Sequence, residues 1–176
     1  MSVAAIAFNQ LLVDLGQQAI TRFSLASFPI EAALFVTWSK GPHQDLRGCI
    51  GTFSPAPLEA TIREYASIAA FEDTRFSPIR LSEVPLLSVC VTILGPLEIC
   101  DSALDWELGT HGIQAEFSGR QSATFLPQVP IEQEWDKHET MRQLAVKARV
   151  PGASPTKVFK YTGVKYEMTF KQYTTL

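Results

Sequence analysis

The chain has 176 residues, of which 46% are hydrophobic and 19% are charged. This size and composition suit one globular domain spanning 1–176 and exclude disorder over most of its length. The formal net charge is −3, and its 15 basic and 18 acidic residues form no block of one sign. We therefore expect a protein, peptide or small-molecule partner and exclude nucleic acid and membranes. Because few charges cover the surface, weak homo-oligomerisation is a further expectation.

The cysteines and the N-terminal residues indicate the cellular compartment in which the protein resides. Cys49, Cys90 and Cys100 are too few and too widely spaced for a disulfide framework, which favours a reducing compartment. The first basic residue is Arg22, so no signal or transit peptide is predicted. No apolar stretch approaches the roughly 18 residues of a membrane span. We expect an intracellular protein, in the cytoplasm or the nucleus, in which Cys90 and Cys100 form no disulfide with Cys49.

The first half of the chain shows two helical and two strand patterns. Apolar residues recur every three or four positions from about residue 5 to 23, which predicts a helix that Gly16 weakens. Two strands follow at 32–38 and 46–53, joined by a polar turn. Residues 57–73 then predict a second helix, because an apolar face begins at a proline suited to the first helical turn.

The second half is richer in strands. Residues 87–94 alternate cleanly and predict a strand, and 113–125 predict a hairpin with its turn near 118–121. A third helix begins at Asp136, which resembles a helix cap, and a last strand fits 164–171. No regular alternation of strand and helix appears. We therefore predict an α+β fold, an antiparallel β-sheet flanked by helices.

The densest unusual segment is 46–53, which reads LRGCIGTF. Glycine inside a strand marks a bulge or a close approach by backbone or ligand. By strand alternation Arg47, Cys49 and Gly51 share one face, which would suit an anionic or carbonyl-bearing ligand. A cation beside the thiol would also favour the thiolate that nucleophilic catalysis uses. The alternative is a small buried thiol in a tight strand, with Arg47 paired to a carboxylate.

Two further segments carry groups that could act in chemistry. Glu72, Asp73 and Arg75 follow the second helix in a predicted loop, where functional residues concentrate. The alternative is a salt bridge within that loop. His111 precedes a predicted strand and would serve as a base near neutral pH, or else is a hydrogen-bonded surface residue.

Motifs for metals and cofactors do not occur. The chain lacks zinc-type spacings of cysteine or histidine, glycine-rich nucleotide loops and the serine-hydrolase elbow. We therefore predict no cofactor and no metal. A zinc site assembled from the distant Cys49, Cys90 and His111 is the one alternative.

Five segments in order resemble the AMMECR domain family, named for the Alport syndrome, mental retardation, midface hypoplasia and elliptocytosis chromosomal region protein. They are LRGCIGTF at 46–53, AFEDTRFSP at 70–78, LDWE and HGI within 104–113, SATFLP at 122–127 and EQEWD at 132–136. The resemblance implies an α+β fold with a larger and a smaller lobe and a cleft between them. The family has no agreed activity, although prokaryotic relatives accompany Memo-like and radical S-adenosylmethionine proteins.

Two hypotheses about function follow. In the first, which we favour, the chain binds a small molecule or peptide in a cleft around the strand 47–51. Its predicted ligand contacts lie on that strand and on the loop after the second helix: Arg47, Gly48, Gly51, Glu72, Asp73 and Arg75. In the second, the chain is a thiol enzyme with Cys49 as nucleophile and His111 transferring protons, while Arg47 or Arg75 holds an anion.

Overall fold

A computed structural model describes residues 3–19 and 30–176. The chain forms two four-stranded sheets with helices, and these belong to two compact units. The larger unit contains the described residues up to Leu94 together with Val164–Leu176, and the smaller contains Gly95–Gly163. The predicted antiparallel α+β class is confirmed. A single domain over 1–176, and a cleft between two lobes, stay predictions.

Helices and strands follow one another along the chain without a regular alternation. They are α1 (Val3–Asp14), β1 (Glu31–Lys40), β2 (Asp45–Pro57), α2 (Leu58–Phe71), β3 (Leu87–Leu94), β4 (Glu98–Ile99), β5 (Gly112–Glu116), β6 (Ser122–Phe125), α3 (Gln128–Glu132), α4 (Lys137–Lys147), β7 (Lys157–Tyr161), β8 (Gly163–Thr169) and α5 (Phe170–Tyr173). Short 3-10 helices occupy Leu81–Leu86 and Ser118–Arg120. Among the described residues no helix is long and apolar enough to cross a bilayer.

The larger unit is built on the sheet β2-β1-β3-β8, in which β2 is an edge strand. Its hydrophobic core contains residues of α1, α2, β1 and β3. At the centre, Trp38 is fully buried, meets the ring of Phe8 edge-on at 5.2 Å and donates its indole hydrogen to the Ala66 carbonyl at 3.0 Å. Burying a side chain of this size contributes roughly 2–3 kcal/mol, and in this unit it fixes α2 against the sheet that carries β2.

The first helix ends earlier than the apolar spacing predicts. It stops at Asp14, and the part of the predicted helix beyond residue 19 lies outside the described residues. Gly16 has a φ of 74°, and the next amide, Gln17, donates to the Leu12 carbonyl at 2.8 Å. Glycine in this conformation closes a helix, so Gly16 is the stop signal rather than a weak point inside the helix.

The smaller unit contains the sheet β4-β7-β5-β6 and the helices α3 and α4. The predicted hairpin is confirmed, with Ile113 opposite Phe125 in β5 and β6. The Asp136 side chain accepts the Glu139 amide hydrogen at 2.7 Å and caps α4 as predicted. That helix ends at Lys147, and Arg149 follows with a φ of 63°, a conformation that glycine adopts more readily.

The end of the chain corrects one predicted boundary. The strand expected over 164–171 stops at Thr169, and α5 replaces its last two residues. The cause is local, because the Thr169 hydroxyl accepts the Gln172 amide hydrogen at 3.2 Å and caps a helical turn.

Candidate functional site

The motif LRGCIGTF lies in β2, where the strand pairing is irregular. Trp38 of β1 faces Gly48, whereas the next residue, Ser39, faces Leu46. Arg47 is therefore the extra residue of a β-bulge, a feature that re-aims side chains. The simple alternation that grouped Arg47 with Cys49 does not hold at this position.

Arg47 is bound to the segment that follows α2. Its Nε and Nη2 donate to the two carboxylate oxygens of Glu83, each at 3.0 Å, and its Nη1 donates to the Ser77 carbonyl at 2.7 Å. Lys40 adds a third side-chain hydrogen bond to Glu83 at 2.9 Å. The hydrogen bonds from Arg47 lower the pKa of Glu83 to about 2. The alternative from the sequence, in which Arg47 is paired with a carboxylate, therefore holds, and Glu83 is that carboxylate.

Asp73 and Arg75 bind the backbone of Cys49. The Asp73 carboxylate accepts the Cys49 amide hydrogen at 2.9 Å, and Arg75 donates to the Cys49 carbonyl at 3.2 Å. Arg75 also donates to both oxygens of Asp73, at 2.9 and 2.7 Å. Asp73 is 5% exposed, and its hydrogen bond with Arg75 lowers the pKa of that carboxyl to about 2. Asp73 and Arg75 together cover the edge of β2 at Cys49. Glu72, the residue before them, is exposed.

The Cys49 thiol lies in a row of side chains that crosses three strands. Thr37 of β1 pairs with Cys49 on one side and with Cys90 of β3 on the other. The Thr37 hydroxyl donates to Cys49 Sγ at 3.1 Å, and burial raises the pKa of the Cys90 thiol. Two strand spacings place the Cys49 and Cys90 backbones about 10 Å apart. A disulfide between them would need about 7 Å or less between Cα atoms.

The same spacing argues against the zinc alternative. Both sulfurs would have to lie about 2.3 Å from one metal ion, yet Thr37 stands between Cys49 and Cys90. His111, the third residue of that alternative, belongs to the smaller unit. Within 3–19 and 30–176, no group of three or more acidic, cysteine or histidine side chains is placed to hold a metal ion.

The two glycines of the motif allow close packing. A Cβ atom on Gly48 would lie 2.0 Å from the Ala69 carbonyl oxygen of α2. One on Gly51 would lie 2.3 Å from the Leu34 carbonyl oxygen and 2.4 Å from the Phe35 ring. At Gly51 the close approach is therefore made by β1.

His111 and Cys49 belong to different units. His111 Nδ1 accepts a hydrogen bond from the Glu107 backbone amide at 3.0 Å. The lone pair of this ring nitrogen is therefore engaged by a backbone donor. This contact matches the alternative of a hydrogen-bonded surface histidine.

A cavity of about 520 Å³ opens beside Arg47, within the larger unit. Its lining comes from β2, the loop after α2 and the following 3-10 helix: Arg47, Phe76, Ser77, Arg80, Ser82 and Glu83. Of these, only Arg47 was predicted as a site residue. The other side chains line the cavity together with Arg47, which is bound to Glu83 and to the Ser77 carbonyl. Two sequence signals point to this region: the motif at 46–53, which contains Arg47, and the motif at 70–78, which contains Phe76 and Ser77.

Comparisons with known proteins identify the family. The AMMECR1 family model matches residues 4–166. An uncharacterized protein of Schizosaccharomyces pombe is 36% identical over 86% of this chain and 83% of its own length. The protein MK0488 of Methanopyrus kandleri is 37% identical over 81% of this chain and 78% of its own.

A solved structure extends the likeness to the fold. The crystal structure of the uncharacterized protein PH0010 from Pyrococcus horikoshii superimposes with a TM-score of 0.78 and 29% identity. The superposition covers 94% of this chain and 89% of that one. The match therefore spans both units. Together with the sequence matches, it leads to one conclusion: this chain belongs to the AMMECR1 family.

Proposed function

We propose that this protein binds a small polar molecule, or a short piece of a peptide, in the cavity beside Arg47. The observation that carries the proposal is the cavity itself. Its volume of about 520 Å³ falls within the range of roughly 300–1,000 Å³ that is typical of small-molecule sites. Its wall combines two serines, two guanidinium groups, a carboxylate and an aromatic ring, so it offers both hydrogen bonds and an apolar contact.

The wall next to β2 is rigid, which supports the proposal. Arg47 is fixed by four hydrogen bonds, of which two go to Glu83 and one each to the carbonyls of Ser77 and Pro78. A side chain that is already ordered loses little entropy when a ligand arrives. Arg47 would therefore act mainly by holding the cavity in shape.

The contacts around Cys49 favour binding over a thiol enzyme. A thiol enzyme in which a residue such as His111 transfers the proton would need that base within hydrogen-bond reach of Cys49 Sγ. Thr37, a hydroxyl without a basic function at neutral pH, donates to that sulfur, and His111 has its Nδ1 engaged by Glu107. We therefore keep the thiol enzyme only as the hypothesis that labelling of Cys49 tests.

Nuclear magnetic resonance of the full chain tests the binding proposal. The probes are benzamide, benzoate, phenyl phosphate and a blocked tripeptide, each titrated to millimolar concentration. We expect shifts of backbone amide signals to concentrate in residues 76–83. The Ser82→Trp variant fills the cavity from an exposed position and should abolish these shifts. The matched Ser154→Trp variant, exposed in the smaller unit, should keep them. Unchanged spectra with every probe, or equal shifts in Ser82→Trp, would refute the proposal.

A further inference from the structure

We infer that the ligand of this cavity is a small organic anion, bound through a carboxylate or phosphate group to the guanidinium of Arg80. The inference rests on the proposed function, because it names the chemistry of the molecule that the cavity would take. Three observations carry it: the local balance of charge, the state of Arg80 and the remaining side chains of the wall.

The charge around the cavity is positive although the chain is acidic. Glu83 is the one carboxylate among the residues that line it. Its oxygens accept hydrogen bonds from the side chains of Lys40 and Arg47 and from the backbone amide of Arg80 at 3.0 Å. Two cations therefore already oppose this one carboxylate, and the Arg80 side chain adds a third. A local excess of positive charge in a chain of formal net charge −3 attracts an anion to this place.

Arg80 is placed differently from the two arginines near it. Arg47 is paired with Glu83, and Arg75 is paired with Asp73. Arg80 is exposed, and among the residues that the structure describes no carboxylate forms an ion pair with its side chain. A guanidinium presents a planar fork of donors that matches the oxygens of a carboxylate or phosphate. Arg80 can therefore supply its charge and its fork to a ligand without breaking a contact of the fold.

The remaining wall residues indicate the rest of the ligand. Ser77 and Ser82 bring hydroxyl groups, which can donate to further anionic oxygens. Phe76 brings an aromatic ring, over which the Arg75 guanidinium lies at 5.4 Å from the ring centre. An anionic group beside a planar or apolar part would satisfy both kinds of contact. The cavity volume suits a molecule of metabolite size.

The test compares dissociation constants for three single-ring probes: benzamide, benzoate and phenyl phosphate. Benzamide has nearly the shape of benzoate without its charge. We expect benzoate and phenyl phosphate to bind about tenfold more tightly than benzamide, because each adds a charge-assisted hydrogen bond. Raising the salt concentration should weaken the two anions and leave benzamide unchanged. Tighter binding of phenyl phosphate than of benzoate would identify a phosphate ligand, and the reverse order a carboxylate ligand.

Two variants decide whether Arg80 is responsible for the tighter binding of the two anions. Arg80→Gln should remove the advantage of the anions over benzamide, whereas Arg142→Gln, at an exposed arginine of the smaller unit, should retain it. Both positions are exposed, and unchanged amide spectra outside the cavity would verify the fold. If all three probes bind equally well and Arg80→Gln has no effect, the anion inference is overturned while binding in the cavity stands. If no probe shifts residues 76–83, the proposed function itself fails.

Discussion

Asp73 joins the loop after α2 to the edge strand β2, through the Cys49 amide and the Arg75 guanidinium. Its pKa in the folded protein is about 2, against an ordinary value of 3.8. A carboxyl whose pKa is lowered by folding stabilises the protein above its unfolded pKa, and this contribution is lost as the pH falls through the folded pKa. For Asp73 the loss should occur between about pH 4 and pH 2.

The first prediction concerns Asp73→Asn, which removes the charge and keeps the shape. The variant should lose about 2 kcal/mol of unfolding free energy at neutral pH. This is the free energy that corresponds to the difference between the folded pKa of Asp73 and its ordinary value. It should also lose less stability than the wild type as the pH falls from about 4 to 2, where the remaining loss comes from other carboxyls with lowered pKa values, Glu83 and Asp105. Urea unfolding at a series of pH values measures both effects. Asp45→Asn, at an exposed position of β2, is the matched control, and a wild-type pH dependence in Asp73→Asn would contradict the account.

The second prediction concerns the reactivity of the three thiols. Burial raises the pKa of Cys90 and of Cys100, which makes their thiolates scarce. Cys49 Sγ instead accepts a hydrogen bond from the Thr37 hydroxyl. We expect Cys49 to react with iodoacetamide fastest in the folded protein. Thr37→Val, which removes the donor at similar volume, should slow that reaction about fivefold.

The control for this experiment is Thr92→Val. Thr92 Oγ1 lies 3.7 Å from Cys90 Sγ, so the change removes a hydroxyl beside a different thiol. It should leave the rate at Cys49 unaltered. Mass spectrometry after timed labelling gives each rate separately. A Cys49 that stays unlabelled in folded protein would remove the nucleophile that the thiol-enzyme hypothesis requires.

At the scale of elements, the contact between β2 and α2 determines where the site residues lie. The third prediction tests it with Gly48→Ala, which would place a methyl group 2.0 Å from the Ala69 carbonyl. Because that neighbour is backbone, α2 must move, and we expect a loss of about 3 kcal/mol in unfolding free energy. Gly95→Ala is the matched control. Its nearest neighbour is the rotatable Thr162 hydroxyl at 3.1 Å, so it should cost less than about 1 kcal/mol. Equal stabilities of the two variants, measured by denaturant unfolding, would show that the packing is looser than described.

Local sequence signals predict the elements better than they predict the site. The alternation over 87–94 gives β3 with its observed bounds, and Asp136 gives the start of α4, because both features depend on neighbouring residues. Glycine within the motif LRGCIGTF indicates a bulge or a close approach, but the position of the bulge at Arg47 depends on how β2 pairs with β1. The sequence analysis does not single out Arg80, because that residue lies far along the chain from Arg47, with which it lines the cavity.

At the scale of the whole molecule, the smaller unit is an insertion in the larger one. The chain leaves the larger unit after β3 and returns in β8, which is the neighbour of β3 in the same sheet. The two ends of the inserted unit are joined, because the Gly95 amide donates to the Thr162 carbonyl at 2.8 Å. Opening of the smaller unit should therefore disturb the pairing of β3 with β8.

The fourth prediction is that both units unfold in one cooperative step. Native-state hydrogen exchange tests it, because the slowest amides of each sheet report the free energy of the opening that exposes them. The slowest amides of β3 and of β5 should give the same opening free energy in the wild type. They should also lose stability equally in Gly48→Ala, although that residue belongs to the larger unit. A lower opening free energy confined to β5 and β7 would contradict a single cooperative step.

The central claim is that the cavity beside Arg47 is a binding site, and a crystal structure of the protein with phenyl phosphate tests it most directly. Crystals should be soaked at a concentration close to the dissociation constant found in solution. The account predicts density for the phosphate within hydrogen-bond distance of the Arg80 guanidinium, with the phenyl ring next to Phe76. A cavity that contains only solvent, in crystals that bind phenyl phosphate elsewhere on the molecule, would contradict it.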